Sequence, residues 1–138
     1  MRTITKILVF LATSPGKNVA GIVSATGASR SSVRDTLSAG RKLGVFIVGG
    51  RYHNEWSLSW ARIERPSGCN MPPLVLAGMW ASIGHTQACV VELQDRLGVS
   101  KAKILRALAE LREARLLMGG ARIAGIQFYK RSVDSKNV

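Results

Sequence analysis

The chain has 138 residues, of which 46% are hydrophobic, so it is long enough for one ordinary domain or two small ones and apolar enough to bury a core. Twenty lysines and arginines against eight acidic residues give a net charge of +12, and both halves of the chain carry part of this excess. These figures exclude a disordered chain and favour a polyanionic partner, with nucleic acid ahead of an anionic membrane surface.

The first predicted element is an apolar helix over about Thr3–Thr13. The basic start and the six-residue apolar run Ile7–Ala12 imitate a short secretory signal, but Pro15 and Gly16 follow at once and the run is too short. No apolar run approaches the length of a membrane span. We therefore expect a cytoplasmic, nucleoid-associated protein that is not secreted and has no membrane partner.

The next elements are two helices around a glycine turn. A second helix is expected over about Asn18–Thr26, and Gly27-Ala28-Ser29 forms the turn that follows it. Ser29 is a good N-cap for a third helix over about Arg30–Leu43, because its hydroxyl can accept from a free amide of the first turn. Apolar runs on either side of two glycines then predict a β-hairpin, made of Val45–Val48, Gly49-Gly50 and Tyr52–Leu58.

A stretch rich in turn formers, residues 60–72, predicts a linker after this hairpin. Beyond it the same order of elements recurs. Three further helices are expected over about Pro73–Ile83, Ala88–Leu97 and Lys101–Arg115, and a second hairpin joins Leu116–Met118 to Ile123–Tyr129 through Gly119-Gly120. The chain is thereby divided into domains at 1–59 and 73–131, with a flexible polar tail at 132–138.

An internal repeat connects the two halves. A shift of 71 residues places Gly27–Val33 on Gly98–Ile104, and it also places Leu37 on Leu108. The spacing of small, basic and apolar positions is kept while most identities change, as in a duplicated unit. In each unit three helices, with a glycine-containing turn before the third, lead into a hairpin, and this order resembles the winged-helix family of helix-turn-helix DNA-binding proteins. The resemblance covers nearly all of both halves and implies a mainly α, α+β fold, a tandem winged helix-turn-helix.

The resemblance also implies that the third helix of each copy enters the major groove and presents its outward face to base edges. In the first copy Val33, Leu37 and Gly40 form the core stripe. The outward face should then carry the base-reading residues, which are Ser31, Arg34, Asp35 and Ser38. Phosphate contacts are expected from cations of both copies, namely Arg30, Arg41, Lys42, Arg51, Lys101, Lys103, Arg106, Arg112 and Arg122. The alternative for the outward face of the first copy is an ordinary solvated helix face.

The second copy has a flatter and more apolar outward face, made of Ala102, Leu105, Arg106, Ala109 and Glu113. Such a face offers little for bases to bond. Two alternatives therefore remain equal for this face. Its cations contact DNA, or the face contacts a protein partner or a second copy in a homodimer.

Nothing in the sequence supports an enzyme or a cofactor. The two histidines, His53 and His85, lack ligand-spaced neighbours, and Cys69 and Cys89 are expected to be inert thiols in a reducing cytoplasm. We expect a sequence-specific double-stranded DNA-binding protein, a small transcriptional repressor similar to bacterial, phage or plasmid regulators. The alternatives are a tandem winged-helix protein that binds structured RNA, and a protein–protein adaptor in a nucleoprotein assembly.

Overall fold

The computed structural model describes residues 1–132, so the predicted tail lies outside the described residues from position 133 onward. These residues form an α+β chain with six helices and two small antiparallel hairpins. In the first half the elements are α1 Thr3–Thr13, α2 Val19–Thr26, α3 Arg30–Leu43, β1 Phe46–Gly49 and β2 Glu55–Leu58. In the second half they are α4 Pro72–Ile83, α5 Val90–Leu97, α6 Lys101–Glu113, β3 Leu117–Ile123 and β4 Ile126–Arg131.

The turns before α3 and α6 have the same geometry. Ser29 and Ser100 cap these helices, each accepting a hydrogen bond from the amide three residues on, at 3.1 and 3.4 Å. Their φ and ψ angles are −66° and 153° at Ser29 and −67° and 156° at Ser100. The preceding glycines, Gly27 and Gly98, end their helices at φ values of 71° and 67°, which an L side chain rarely adopts. The predicted N-cap at Ser29 is therefore confirmed, and Ser100 is its counterpart in the second half.

The hairpins are tied to the helices by the same backbone bonds in each half. Lys17, just before α2, exchanges two hydrogen bonds with Trp56 of β2. Ala88, 71 residues further along, does the same with Tyr129 of β4. The repeat in the sequence is thus also a repeat in the backbone hydrogen bonding. The bond to Ala88 also explains why α5 begins later than predicted, since Cys89 is its N-cap.

Helix α4 occupies the centre of the molecule. All nine residues from Val75 to Ile83 are buried, which is typical of a helix that is apolar all round. It packs on α1 and α3 of the first half and on α5, α6 and β4 of the second. The buried apolar side chains form one continuous cluster. The two halves therefore share a core, while their division into separate domains stays a prediction.

The predicted linker is an ordered cover over α4. Pro66 and Cys69 are buried, and the Cys69 sulfur lies so close to Gly78 that a Cβ there would overlap it. The Trp60 ring packs on Trp80 with 5.4 Å between ring centres. These contacts hold the connection between the halves against the core.

The turn of the second hairpin is not where the two glycines predicted it. Gly119 and Gly120 lie inside β3, at an irregularity in the pairing, and the turn is Ala124-Gly125, with φ values of 51° and 79°. The physical reason is Gln87, whose Oε1 accepts from the Ala121 amide and leaves no room for a Cβ at Gly120. The glycines permit this close approach rather than a reversal of the chain.

Candidate nucleic-acid interface

The outward face of α3 is fully accessible. Its core stripe is buried as predicted, with Val33 and Leu37 at 0% exposure. The side chains on the opposite face are all exposed, and they are Ser31, Arg34, Asp35, Ser38 and Lys42. Among residues 1–132 none of them is held in an ion pair or a side-chain hydrogen bond with another residue of the chain. This face therefore presents two cations, two hydroxyls and one carboxylate to solvent, without internal partners to displace.

Further exposed cations lie on α3 and on the first hairpin. Arg30 and Arg41 are exposed on the flank of the outward face of α3, and Arg51 is exposed in the turn of the first hairpin. The Arg51 guanidinium lies 5.6 Å from the centre of the Tyr52 ring. Arg41 and Lys42 also stand in the last turn of α3, where positive charge offsets the helix dipole. The cations of α3 and of the first hairpin are thus available to an anionic partner. Arg41 and Lys42 also help to stabilise α3.

The corresponding face of α6 is different in chemistry. Ala102, Leu105 and Ala109 are exposed there, with 45% of Leu105 accessible. Beside them, Glu110 is bonded to the start of α1, accepting from Arg2 Nε at 3.2 Å and from Thr5 Oγ1. The acidic side of α6 is therefore partly used to join the two halves.

The predicted phosphate-binding cations of the second half differ in how freely they can move. Lys101, Arg106 and Arg122 are exposed. Lys103 donates to the Asn70 carbonyl at 3.4 Å, and the Arg112 guanidinium lies 5.6 Å from the centre of the Tyr129 ring. Four of these five residues lie along α6, and Arg122 lies on the β3–β4 hairpin.

A buried arginine is not apparent from the sequence. Arg131, the last residue of β4, is 6% exposed and its guanidinium lies 3.7 Å from the centre of the Trp80 ring. It donates to the backbone carbonyls of Trp80 at 3.2 Å and of Trp60 at 3.1 Å. Burial lowers the pKa of Arg131 to about 10, so the group remains a cation at neutral pH. The only signal in the sequence is the alternation of β4, which places Tyr129 and Arg131 on the same inward face.

Replacing Arg131 with alanine should lower the free energy of unfolding by about 2–4 kcal/mol, because it empties a buried site and removes both the ring contact and two hydrogen bonds. The measurement is urea denaturation at neutral pH. The matched control is Lys130→Ala, whose exposed side chain should change stability by no more than about 0.5 kcal/mol. Equal effects of the two substitutions would contradict a structural role for the arginine.

Other kinds of site are not found in the part of the chain that is described. Over residues 1–132 no group of three or more His, Cys, Asp or Glu side chains is placed to hold a metal ion. Across the same range no helix is long and apolar enough to cross a membrane. Burial raises the pKa of the Cys69 thiol, which makes its reactive thiolate scarcer.

Comparison with known proteins gives no family. The sequence matches no protein-family profile and no curated protein. Among solved structures it is similar to the DIP2311 protein from Corynebacterium diphtheriae, with 16% identity and a TM-score of 0.36. That similarity covers 94% of this chain but only 26% of the other, so the chain spans about a quarter of the length of that protein.

Proposed function

We propose that this chain is a tandem winged helix-turn-helix protein that binds double-stranded DNA in a sequence-specific manner and acts as a small, nucleoid-associated transcriptional repressor. The observation that carries the proposal is the outward face of α3, which is exposed, polar and free of internal partners within residues 1–132. A helix that reads bases must offer hydrogen-bonding groups to the major groove without first breaking bonds of its own.

The positions of Arg34 and Arg41 along α3 support two different roles, base reading and phosphate binding. Arg34 stands one turn from the N-terminal end, where such helices usually approach base edges, and arginine bonds guanine with two parallel hydrogen bonds. Arg41 stands in the last turn and on the flank, where the phosphate backbone would pass. Arg34 is therefore assigned to reading and Arg41 to anchoring.

Two other functions keep some support. Structured RNA would also attract a chain of charge +12, because the charge is indifferent to the kind of nucleic acid. A protein–protein adaptor is supported by α6, whose exposed Leu105 and neighbouring alanines suit an apolar partner. In an adaptor the outward face of α3 would be an ordinary solvated surface.

Selection of bound sequences from a random duplex pool tests the proposal. Enrichment of a defined motif is the expected result, and competition of that duplex against RNA hairpins should leave the protein on the duplex. If no motif is enriched, or if RNA displaces the duplex, the proposal is wrong and one of the two alternative functions is favoured.

Arginine substitutions should separate reading from anchoring. Arg34→Ala should weaken binding to the selected duplex by about 1–3 kcal/mol and reduce the preference over a scrambled duplex. Arg41→Ala should weaken both duplexes alike. The measurement is the dissociation constant of each variant for both duplexes at one salt concentration.

Arg106→Ala, on the outward face of α6, serves as the comparison. It should change the preference less than Arg34→Ala does, because its exposed neighbours Ala102 and Ala109 offer nothing for bases to bond. If Arg106→Ala removes the preference while Arg34→Ala leaves it intact, the reading helix is α6 and the assignment is reversed.

A further inference from the structure

A cavity lies where the two halves of the chain meet, between the start of α1 and the helices α4 and α6. It encloses about 470 Å³, including its open mouth. Cavities of roughly 300–1,000 Å³ are the size that holds small molecules in proteins. The chemistry of its lining residues indicates which class of molecule fits.

One side of the cavity is apolar. Val75 and Leu76 of α4 line it together with Ala107 of α6, and all three residues are buried in the shared core. Pro72, the first residue of α4, adds a further apolar surface. A hydrocarbon group placed on these side chains is removed from water, which stabilises the bound state.

The other side of the cavity is positively charged. Arg2, Lys103 and Arg106 line it, and Glu110 is the one acidic residue among the lining residues. The Glu110 carboxylate already accepts hydrogen bonds from Arg2 Nε, at 3.2 Å, and from Thr5 Oγ1. Its negative charge is therefore matched within the chain.

Two of the cations have no carboxylate partner within residues 1–132. Lys103 Nζ donates to the neutral Asn70 carbonyl at 3.4 Å, and Arg106 is exposed and forms no ion pair with another described residue. Both belong to α6 and are three residues apart, so they lie on neighbouring positions of one helix surface. The cavity thus combines an apolar side with two adjacent positive charges.

We propose that this cavity binds a small organic carboxylate that carries a hydrocarbon body. The hydrocarbon lies on Val75, Leu76 and Ala107, and the carboxylate pairs with Lys103 and Arg106. An arginine can bond both oxygens of a carboxylate at once, and a lysine adds a second charge-assisted hydrogen bond. This inference does not depend on DNA binding.

Other classes of ligand match only part of the cavity. An inorganic phosphate pairs with the two cations but leaves the apolar side in contact with water. A neutral hydrocarbon covers the apolar side but displaces water from the two cations without replacing its hydrogen bonds. A cationic ligand is repelled, because the lining carries three positive charges and one negative charge.

The test is isothermal titration calorimetry of the full chain with octanoate at low salt. Saturable binding at one site is the expected result. Acetate supplies the carboxylate without the hydrocarbon body, and octanol supplies the hydrocarbon without the charge. Each should bind at least about tenfold more weakly than octanoate, because each lacks one of the two contacts.

Two double variants of α6 show whether the cavity is the site. K103Q/R106Q removes both cations that line the cavity and should weaken octanoate binding at least about tenfold. K101Q/R112Q is the matched control, since it removes two positive charges from the same helix at positions that do not line the cavity. The control should change the affinity less than about twofold, because exposed charges at a distance are screened by solvent and salt. Circular dichroism melts check that both variants remain folded.

Methyl resonances locate the hydrocarbon body. Those of Val75 and Leu76 should shift as octanoate is added, because their side chains line the cavity. Those of Ile22 and Val33, which are equally buried in the first half and do not line it, should stay in place.

The outcomes decide the proposal. It is overturned if octanoate does not bind saturably, or if acetate or octanol binds equally well. Equal weakening in K103Q/R106Q and K101Q/R112Q would mean that octanoate follows the overall positive charge, which also overturns it. Shifts confined to methyl groups outside the cavity would place the octanoate elsewhere. None of these results bears on DNA binding, which the duplex selection tests separately.

Discussion

Gly40→Ala is expected to destabilise the protein by about 1–3 kcal/mol, although alanine is the better helix former by about 1 kcal/mol. Gly40 lies inside α3, and the ring of Phe46 packs directly against its backbone, so an added Cβ would overlap two ring atoms. Both residues are buried, and neither the helix nor the ring can move without disturbing the core. Urea denaturation measures the effect as a lower midpoint with an unchanged slope.

The second half of the chain indicates a second substitution that should offset the cost of a larger residue at position 40. At the positions 71 residues further along, Leu111 and Leu117 stand where the first half has Gly40 and Phe46, and both leucines are buried. Gly40→Leu alone should cost more than the alanine substitution. Combined with Phe46→Leu, it should recover about 0.5–3 kcal/mol relative to the sum of the two single effects. Additive costs would show that the two sites are not packed against each other.

Local patterns explain which parts of the fold the sequence predicts well. The caps at Ser29 and Ser100 and the core stripe of α3 depend on neighbours within one or two turns, so spacing alone identifies them. The helix ends depend on the same local chemistry but are harder to place. Helix α6 ends at Glu113 because Arg115, with φ of 62°, leaves the helical region. An arginine in the sequence does not predict a positive φ.

Long-range contacts explain the rest. The close approach at Gly120 involves Gln87, which is 34 residues away from the Ala121 amide it binds. Arg131 is buried by Trp60 and Trp80, which belong to the predicted linker and to α4. The shared core arises because α4 is apolar on every side and must be covered by both halves. Such partners cannot be identified from the spacing of residues within one element.

The candidate site also has parts that the sequence predicts and parts that it does not. Exposure of the outward face of α3 follows from its helical period, and the structure places every base-reading candidate on that face. The exposure of Ile123 and Ile126 beside the turn of the second hairpin is not apparent from the sequence, because a turn at the two glycines would put Ile123 at the start of a strand.

The largest effect expected in solution is the response of DNA affinity to salt. With about 6–10 phosphate contacts, raising the salt concentration from about 50 to 200 mM should weaken duplex binding roughly a thousandfold or more, because each contact releases condensed counterions. The exposed cations of α3, of α6 and of both hairpins are numerous enough to supply that many contacts. The measurement is the dissociation constant at several salt concentrations, plotted on logarithmic axes.

Charge-removing variants show which cations produce the slope of the logarithm of DNA affinity against the logarithm of the salt concentration. Arg30→Gln combined with Arg41→Gln should reduce its magnitude by about two, one for each phosphate that is no longer neutralised. Arg65→Gln is the single-charge control, since it removes one positive charge from a side chain that is 71% exposed but lies between the halves and pairs with Asp95 at 3.3 Å. That control should leave the slope unchanged. A shallow response of the wild type would favour the protein adaptor. Equal reductions per charge removed, in the double variant and in the control, would mean that the basic surface acts only through its overall field.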